Sequence, residues 1–282
     1  MIEIACLAFL SPLLSGIISK IKNNLRFRQG PSIFQPYFNL SKYFSKEEVV
    51  SSSCSWLFRL TPYIVFAATL SALLLISFNR VGDLIAVIFL FSLARFFLAL
   101  AGLDPATTFG GMGSSREMFI ASLVEPVAML SVFAIALSAK TTNLTFIFAQ
   151  QSMSVPTIMA TLALFLVALA ETGRIPIDNQ ETHLELTMIH EAMVLEYSGR
   201  SLGLLELAGY FKQVFFFWLI SSLILPGFNE PVFLIIKMLV LCLVVAAVEV
   251  SLAKMRLFRV VDFLSFAGIL SAMAIVALVL GA

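Results

Sequence analysis

A chain of 282 residues that is 60% hydrophobic and 12% charged, with a mean hydropathy of +1.00, has too few polar side chains to cover a water-facing surface; a water-soluble fold is excluded, and lipid must solvate most of the outside. The 18 basic and 17 acidic residues leave a formal net charge of +1, which excludes the basic field that nucleic-acid binding requires. Three scattered cysteines, Cys6, Cys54 and Cys242, lack CxxC spacing and fit neither a disulfide framework nor a cysteine-ligated cluster, so any metal or iron-sulfur centre is expected in another subunit.

A helix that crosses about 30 Å of hydrocarbon needs roughly 20 mostly apolar residues. That window predicts eight spans in one domain over residues 1–282: 3–21, 57–78, 83–103, 117–138, 155–172, 206–225, 231–253 and 262–281. The first is expected to be a retained span, because no basic n-region or small-residue cleavage site accompanies it. No period-two alternation at barrel spacing is present, so the fold class is an all-α polytopic membrane protein. After the first span, QPYFNLSKYFSKE places Tyr37, Leu40, Tyr43 and Phe44 on one face, predicting a short amphipathic interfacial helix. GLDPATTFGGMGSS, residues 102–115, reads as a flexible turn with Ser114 or Ser115 capping the fourth span.

Lys20, Lys22, Arg26, Arg28, Lys42, Lys46 and Arg59 crowd the first connection and its edges, and Lys254, Arg256 and Arg259 the seventh. The third and fifth add Arg116, Arg174 and Arg200, against Arg80 and Lys140 in the second and fourth. The bias makes the odd connections cytoplasmic and both termini external, in the cytoplasmic membrane of a bacterium or archaeon.

An ionisable side chain in hydrocarbon costs about 2.5 to 3.5 kcal/mol on insertion scales, so each needs a partner, water or a function. Arg95, Glu125, Glu171, Lys212, Lys237 and Glu249 all fall in or at the end of spans. Snorkelling accounts equally well for Lys212 and Lys237, and pairing with a nearby carboxylate for Arg95. Glu125 precedes Pro126, whose missing N–H leaves a carbonyl one turn back free and makes room for water beside the carboxylate, the setting of a proton relay. Downstream of the fifth span, six of the 17 acids fall within residues 171–196: Glu171, Asp178, Glu181, Glu185, Glu191 and Glu196. Pro176, Asp178 and Asn179 read as a turn that ends one helix and caps the next. A continuous helix over 181–196 would put Glu181, Glu185 and Glu196 on one stripe and His183 and His190 opposite. The alternative is a solvated acidic loop, but Leu184, Leu186, Met188, Ile189, Met193, Val194 and Leu195 call for a packed setting. His190-Glu191 lacks the second histidine of a zincin helix, and no P-loop, nucleophile elbow or dinucleotide fingerprint occurs, so no catalytic or metal site is expected.

Three stretches, RQGPSIFQPYFNLSKYFSKEEVV, AGLDPATTFGGMGSSREM and DNQETHLELTMIHEAMVLEYSGRSLGLLE, resemble the membrane anchor subunit of group 4 energy-converting [NiFe] hydrogenases, of the formate hydrogenlyase subunit 4 and Ech hydrogenase B type. That subunit is in turn similar to subunit 1 of respiratory complex I, the bacterial H subunit. THLELTMIHEAM is specific to the hydrogenase branch, and Gln180 departs from the Asp-Asn-Pro usual in that loop. The resemblance implies a complex I subunit 1-like fold and a non-catalytic subunit holding no cofactor of its own. Its partners would be the [NiFe]-hydrogenase large and small subunits and an iron-sulfur protein, which carry the [NiFe] centre and clusters, together with antiporter-like membrane subunits. It implies peripheral-arm docking at Arg28, Gly30, Pro31, Arg174, Pro176, His183 and His190. It also implies a proton or sodium relay through Glu125, Glu171, Asp178, Glu181, Glu185, Glu191, Glu196 and Glu249, with Arg95, Lys212 and Lys237 as the cations among them. The competing readings are a quinone-chamber subunit of a complex I-like oxidoreductase and a free-standing secondary transporter, against which stands the lack of paired broken helices in inverted halves.

Overall fold

The computed structural model describes residues 2–77, 82–150, 154–178, 188–224 and 231–280. Eleven helices account for their regular structure: α1 (Ile2–Leu25), α2 (Gln35–Ser45), α3 (Trp56–Ser77), α4 (Leu84–Leu103), α5 (Thr108–Ala139), α6 (Leu144–Gln150), α7 (Val155–Glu171), α8 (His190–Val194), α9 (Gly199–Leu223), α10 (Pro231–Ser251) and α11 (Leu257–Leu280). Six of them, α3, α4, α5, α9, α10 and α11, are long and apolar enough to cross a membrane; α7 is apolar but has 17 residues, and α1 has 24. These eight coincide with the expected spans, with ends shifted by up to nine residues.

α9 runs through the middle, packed by α1, α2, α3, α7 and α10, while α3 and α4 pair and α11 lies against α5 and α7. Its buried Phe215 and Phe216 meet Phe91 of α4, Phe215 edge-on at 5.3 Å, and Trp218 meets Phe148 of α6 edge-on at 4.9 Å. Rings in these geometries contribute about 0.5 to 1.5 kcal/mol each beyond the area they bury. Where lipid removes most of the hydrophobic drive between helices, such close packing is what holds the bundle.

The expected interfacial helix is α2, which buries Pro36 and Leu40 and exposes Phe34 and Phe38. The expected flexible turn at 102–115 is instead mostly helix. Thr107 Oγ1 accepts from Gly110 N–H and caps α5, so only residues 104–107 connect α4 to α5. The glycines serve close packing rather than mobility: a Cβ on Gly110 would stand 2.3 Å from Gly102 O, and one on Gly113 3.0 Å from Ala192 Cβ. The continuous helix weighed for 181–196 is also not formed, since residues 188 and 189 are not helical and the helix runs only from His190 to Val194. The reason is local. Asp178 Oδ2 accepts from the N–H groups of Ile189 at 3.0 Å and His190 at 3.3 Å, which starts the helix at that point. Asp178 thereby caps the next helix as its sequence position suggested.

Candidate functional site

Two groups of charged side chains meet at the ends of α4, α7, α9 and α10. In the first, Arg95 of α4 is the hub: its Nε lies 3.1 Å from Glu117 Oε1, its Nη1 3.6 Å from Glu125 Oε1, and its Nη2 pairs with Glu171 at the last residue of α7. Glu171 also pairs with Lys212 of α9, whose ammonium stands 5.6 Å from the Phe91 ring centroid. In the second group, Glu249 of α10 accepts from Lys22 of α1 at 2.8 Å and from Arg174 Nη1 at 2.8 Å, while Arg174 Nη2 donates to Gln213 Oε1 at 3.0 Å. The side chains of Arg95, Glu171, Lys22 and Glu249 are each about 6% exposed or less. At such burial Coulomb attraction is little screened, but desolvation is costly, so these ions persist only because each finds an opposite charge.

A cavity of ~140 Å³ joins the two groups; Arg95, Glu117, Glu171 and Lys212 border it, as do Arg174 and Gln213 of the second. His190, Glu191, Glu206 and Tyr210 border it as well. Among the described residues Gln213 Nε2, which is buried, has no hydrogen-bond partner and neither does Arg95 Nη1. Polar walls, unsatisfied donors and this volume fit several ordered waters.

The structure thus brings together Arg95, Glu125, Glu171, Lys212, Glu191 and Glu249 from the expected relay. Asp178 stands one step aside, its Oδ1 accepting from Lys254 at 2.7 Å and its Oδ2 capping α8, so its geometry is that of a brace. Glu196 is exposed after α8, and Lys237 lies near the opposite end of α10, donating to Ile224 O at 3.1 Å. Neither joins the network. Of the expected docking residues, Arg28 and Pro31 are exposed, and Gly30 fits close against Asn23. Arg174 and Pro176 are not at the surface: Arg174 is spent on Glu249 and Gln213, and buried Pro176 accepts Met255 N–H through its carbonyl at 2.8 Å. His190 borders the cavity, while Glu181, Glu185 and His183 lie outside the described residues. No group of three or more His, Cys, Asp or Glu side chains is placed to hold a metal ion among the described residues.

Sequence reasoning missed Glu117, Glu206, Gln213 and Lys22. For two of them a signal existed: Glu206, Gly209, Tyr210 and Gln213 recur at i, i+3, i+4 and i+7, a polar stripe on an otherwise apolar helix. Lys22 was counted as a loop charge, and its pairing with Glu249 joins the two ends of the chain, which no local pattern reveals.

Residues 1–281 match the NADH dehydrogenase family. Hydrogenase-4 component C of Escherichia coli (strain K12) is 37% identical over 257 residues, covering 87% of this chain and 80% of its own length. Formate hydrogenlyase subunit 4 of the same organism is 31% identical over 280 residues, covering 91% and 90%. In fold, the chain is similar to a chain of the membrane-bound sulfane sulfur reductase, an archaeal respiratory membrane complex, with a TM-score of 0.85 at 20% identity over 98% of this chain and 97% of that one. A multi-pass membrane protein with its ion pairs gathered at one end of the helices, the chain belongs to the NADH dehydrogenase family.

Proposed function

We propose that this chain is the non-catalytic membrane subunit of an energy-converting complex of the hydrogenase-4 and formate hydrogenlyase type. It anchors a water-soluble electron-transfer arm and passes the energy of electron transfer to ion movement. The observation that carries the reading is the Arg95, Glu171 and Lys212 network beside a polar cavity, in a chain 37% identical to hydrogenase-4 component C. Glu171 and Glu249, each held by two cations, fix the frame, and Glu125, Glu191 and Glu206 are the carboxylates set to exchange an ion with cavity water. Glu181 and Glu185 join them by resemblance. A charge change in the neighbouring arm shifts the balance of these coupled sites and so moves a proton or sodium ion. The [NiFe] centre and iron-sulfur clusters belong to the partner subunits.

The quinone-chamber reading is less well supported, because ~140 Å³ falls below the roughly 300 to 1,000 Å³ of ordinary small-molecule sites. Affinity purification of the full complex through a tag on this chain tests the proposal. A copurifying large subunit with two CxxC pairs and hydrogen evolution are expected; a quinone-reducing complex without such a subunit would overturn it.

A further inference from the structure

The turn that closes α1 carries a side chain its own fold does not use. Arg28 N–H bonds Asn23 O at 2.9 Å and Phe27 N–H bonds Asn24 O at 3.0 Å, the paired bonds of a helix end that puts its next residue in the left-handed region. Glycine is the usual occupant there, since a side chain clashes with the following carbonyl. Here the residue is Phe27, at φ 56°, and it is 99% exposed. A bulky aromatic in that conformation that touches nothing in its own chain serves neither the turn nor the core.

The turn also stands clear of the bilayer. Beyond residue 21, α1 continues through Lys22, Asn23 and Asn24, and the chain then doubles back along it. Gly30 fits against Asn23, and the Ile33 carbonyl reaches Gly16, where a Cβ would be 2.0 Å from its oxygen. Tyr37 of α2 bonds Phe9 O lower still. The apolar face of α2 therefore lies at the level of the middle of α1, and the nine residues from Gly16 to Leu25 lift the turn about 14 Å above that level. Phe27 sits at the summit between Arg26 and the exposed Arg28.

We propose that Phe27 is the anchor by which a water-soluble subunit seats on this protein, entering an apolar socket whose rim carries carboxylates complementary to Arg26 and Arg28. The height of the turn sets the anchor where a soluble partner reaches and lipid tails do not. An aromatic flanked by arginines is the composition that dominates binding energy at protein interfaces. The inference rests on the soluble arm in the function proposed above.

The test uses the tagged full complex and the variant Phe27→Gly, which suits the left-handed turn and leaves the chain's own packing intact. Through washes of rising salt, the variant is expected to retain about tenfold less of the soluble subunits than the native chain, with unchanged amounts of this chain in the membrane. Phe27→Leu keeps an apolar anchor and should fall between them. Replacing Phe27 with p-benzoylphenylalanine and irradiating should give an adduct with a soluble subunit. Equal retention by Phe27→Gly, or adducts with phospholipid alone, overturns the anchor and leaves the proposed function standing. If the native chain retains no soluble subunit under any wash, the proposed function fails and the anchor with it.

Discussion

Replacing Glu171 by Gln removes the shared counter-charge of two buried cations while keeping the shape of the side chain. Glu171 and Arg95 are each 6% exposed and Lys212 17%. Arg95 keeps Glu117 and Glu125, but Lys212 is left with the Phe91 ring at 5.6 Å. Breaking a buried pair from one side costs about 3 to 5 kcal/mol, because the surviving charge stays desolvated. At about 2 to 4 °C per kcal/mol, the melting temperature of the detergent-purified complex should fall by about 10 °C. A double-mutant cycle isolates the pair: in Glu171→Gln with Lys212→Met the stranded ammonium is gone, and about 1 to 3 kcal/mol of the loss should return. Melting curves followed by intrinsic fluorescence read both effects. A single variant melting within about 1 °C of the native complex, or a double variant whose loss equals the sum of the two singles, refutes the ion-pair account.

Two further predictions concern packing and topology. Gly110→Ala pushes a methyl against the Gly102 carbonyl and should destabilise by about 1 to 3 kcal/mol, whereas Gly111→Ala, with nothing within 4 Å, should stabilise α5 by about 0.5 to 1 kcal/mol; shifts of the same sign in thermal melts would contradict the packing seen between α4 and α5. Burial, with Asp104 and Glu196 nearby, raises the Cys54 thiol above its ordinary value, so the thiolate is scarcer at neutral pH than for a free cysteine. A membrane-impermeant maleimide should label Cys54 from the Lys/Arg-rich face only, and slowly at pH 7, with a rate rising about tenfold per pH unit below the thiol pKa. Fast labelling at pH 7, or labelling from the opposite face alone, would contradict the setting or the orientation.

The spans were legible in the sequence because each is a long apolar run, and lipid imposes that length on the chain. What short windows hid was context. GGMGSS reads as a turn by composition, yet its glycines let α5 begin at Thr108 close against α4 and α8. The seven-residue α6 is too short for a span window. Arg95, Glu171 and Lys212 stood out as charges in apolar surroundings, but that one carboxylate serves both cations follows only from the packing of α4, α7 and α9. Arg174 was expected at a docking surface, since its loop resembles one that faces a partner. Its guanidinium turns inward because Glu249, 75 residues on, needs a second cation beside Lys22.

The most direct test of ion coupling is the number of ions moved per molecule of hydrogen formed, measured in proteoliposomes of the complete complex with Glu125→Gln and Glu206→Gln. The account predicts that hydrogen formation continues while this ratio falls toward zero in at least one of the two variants. A ratio equal to that of the native complex in both would contradict it.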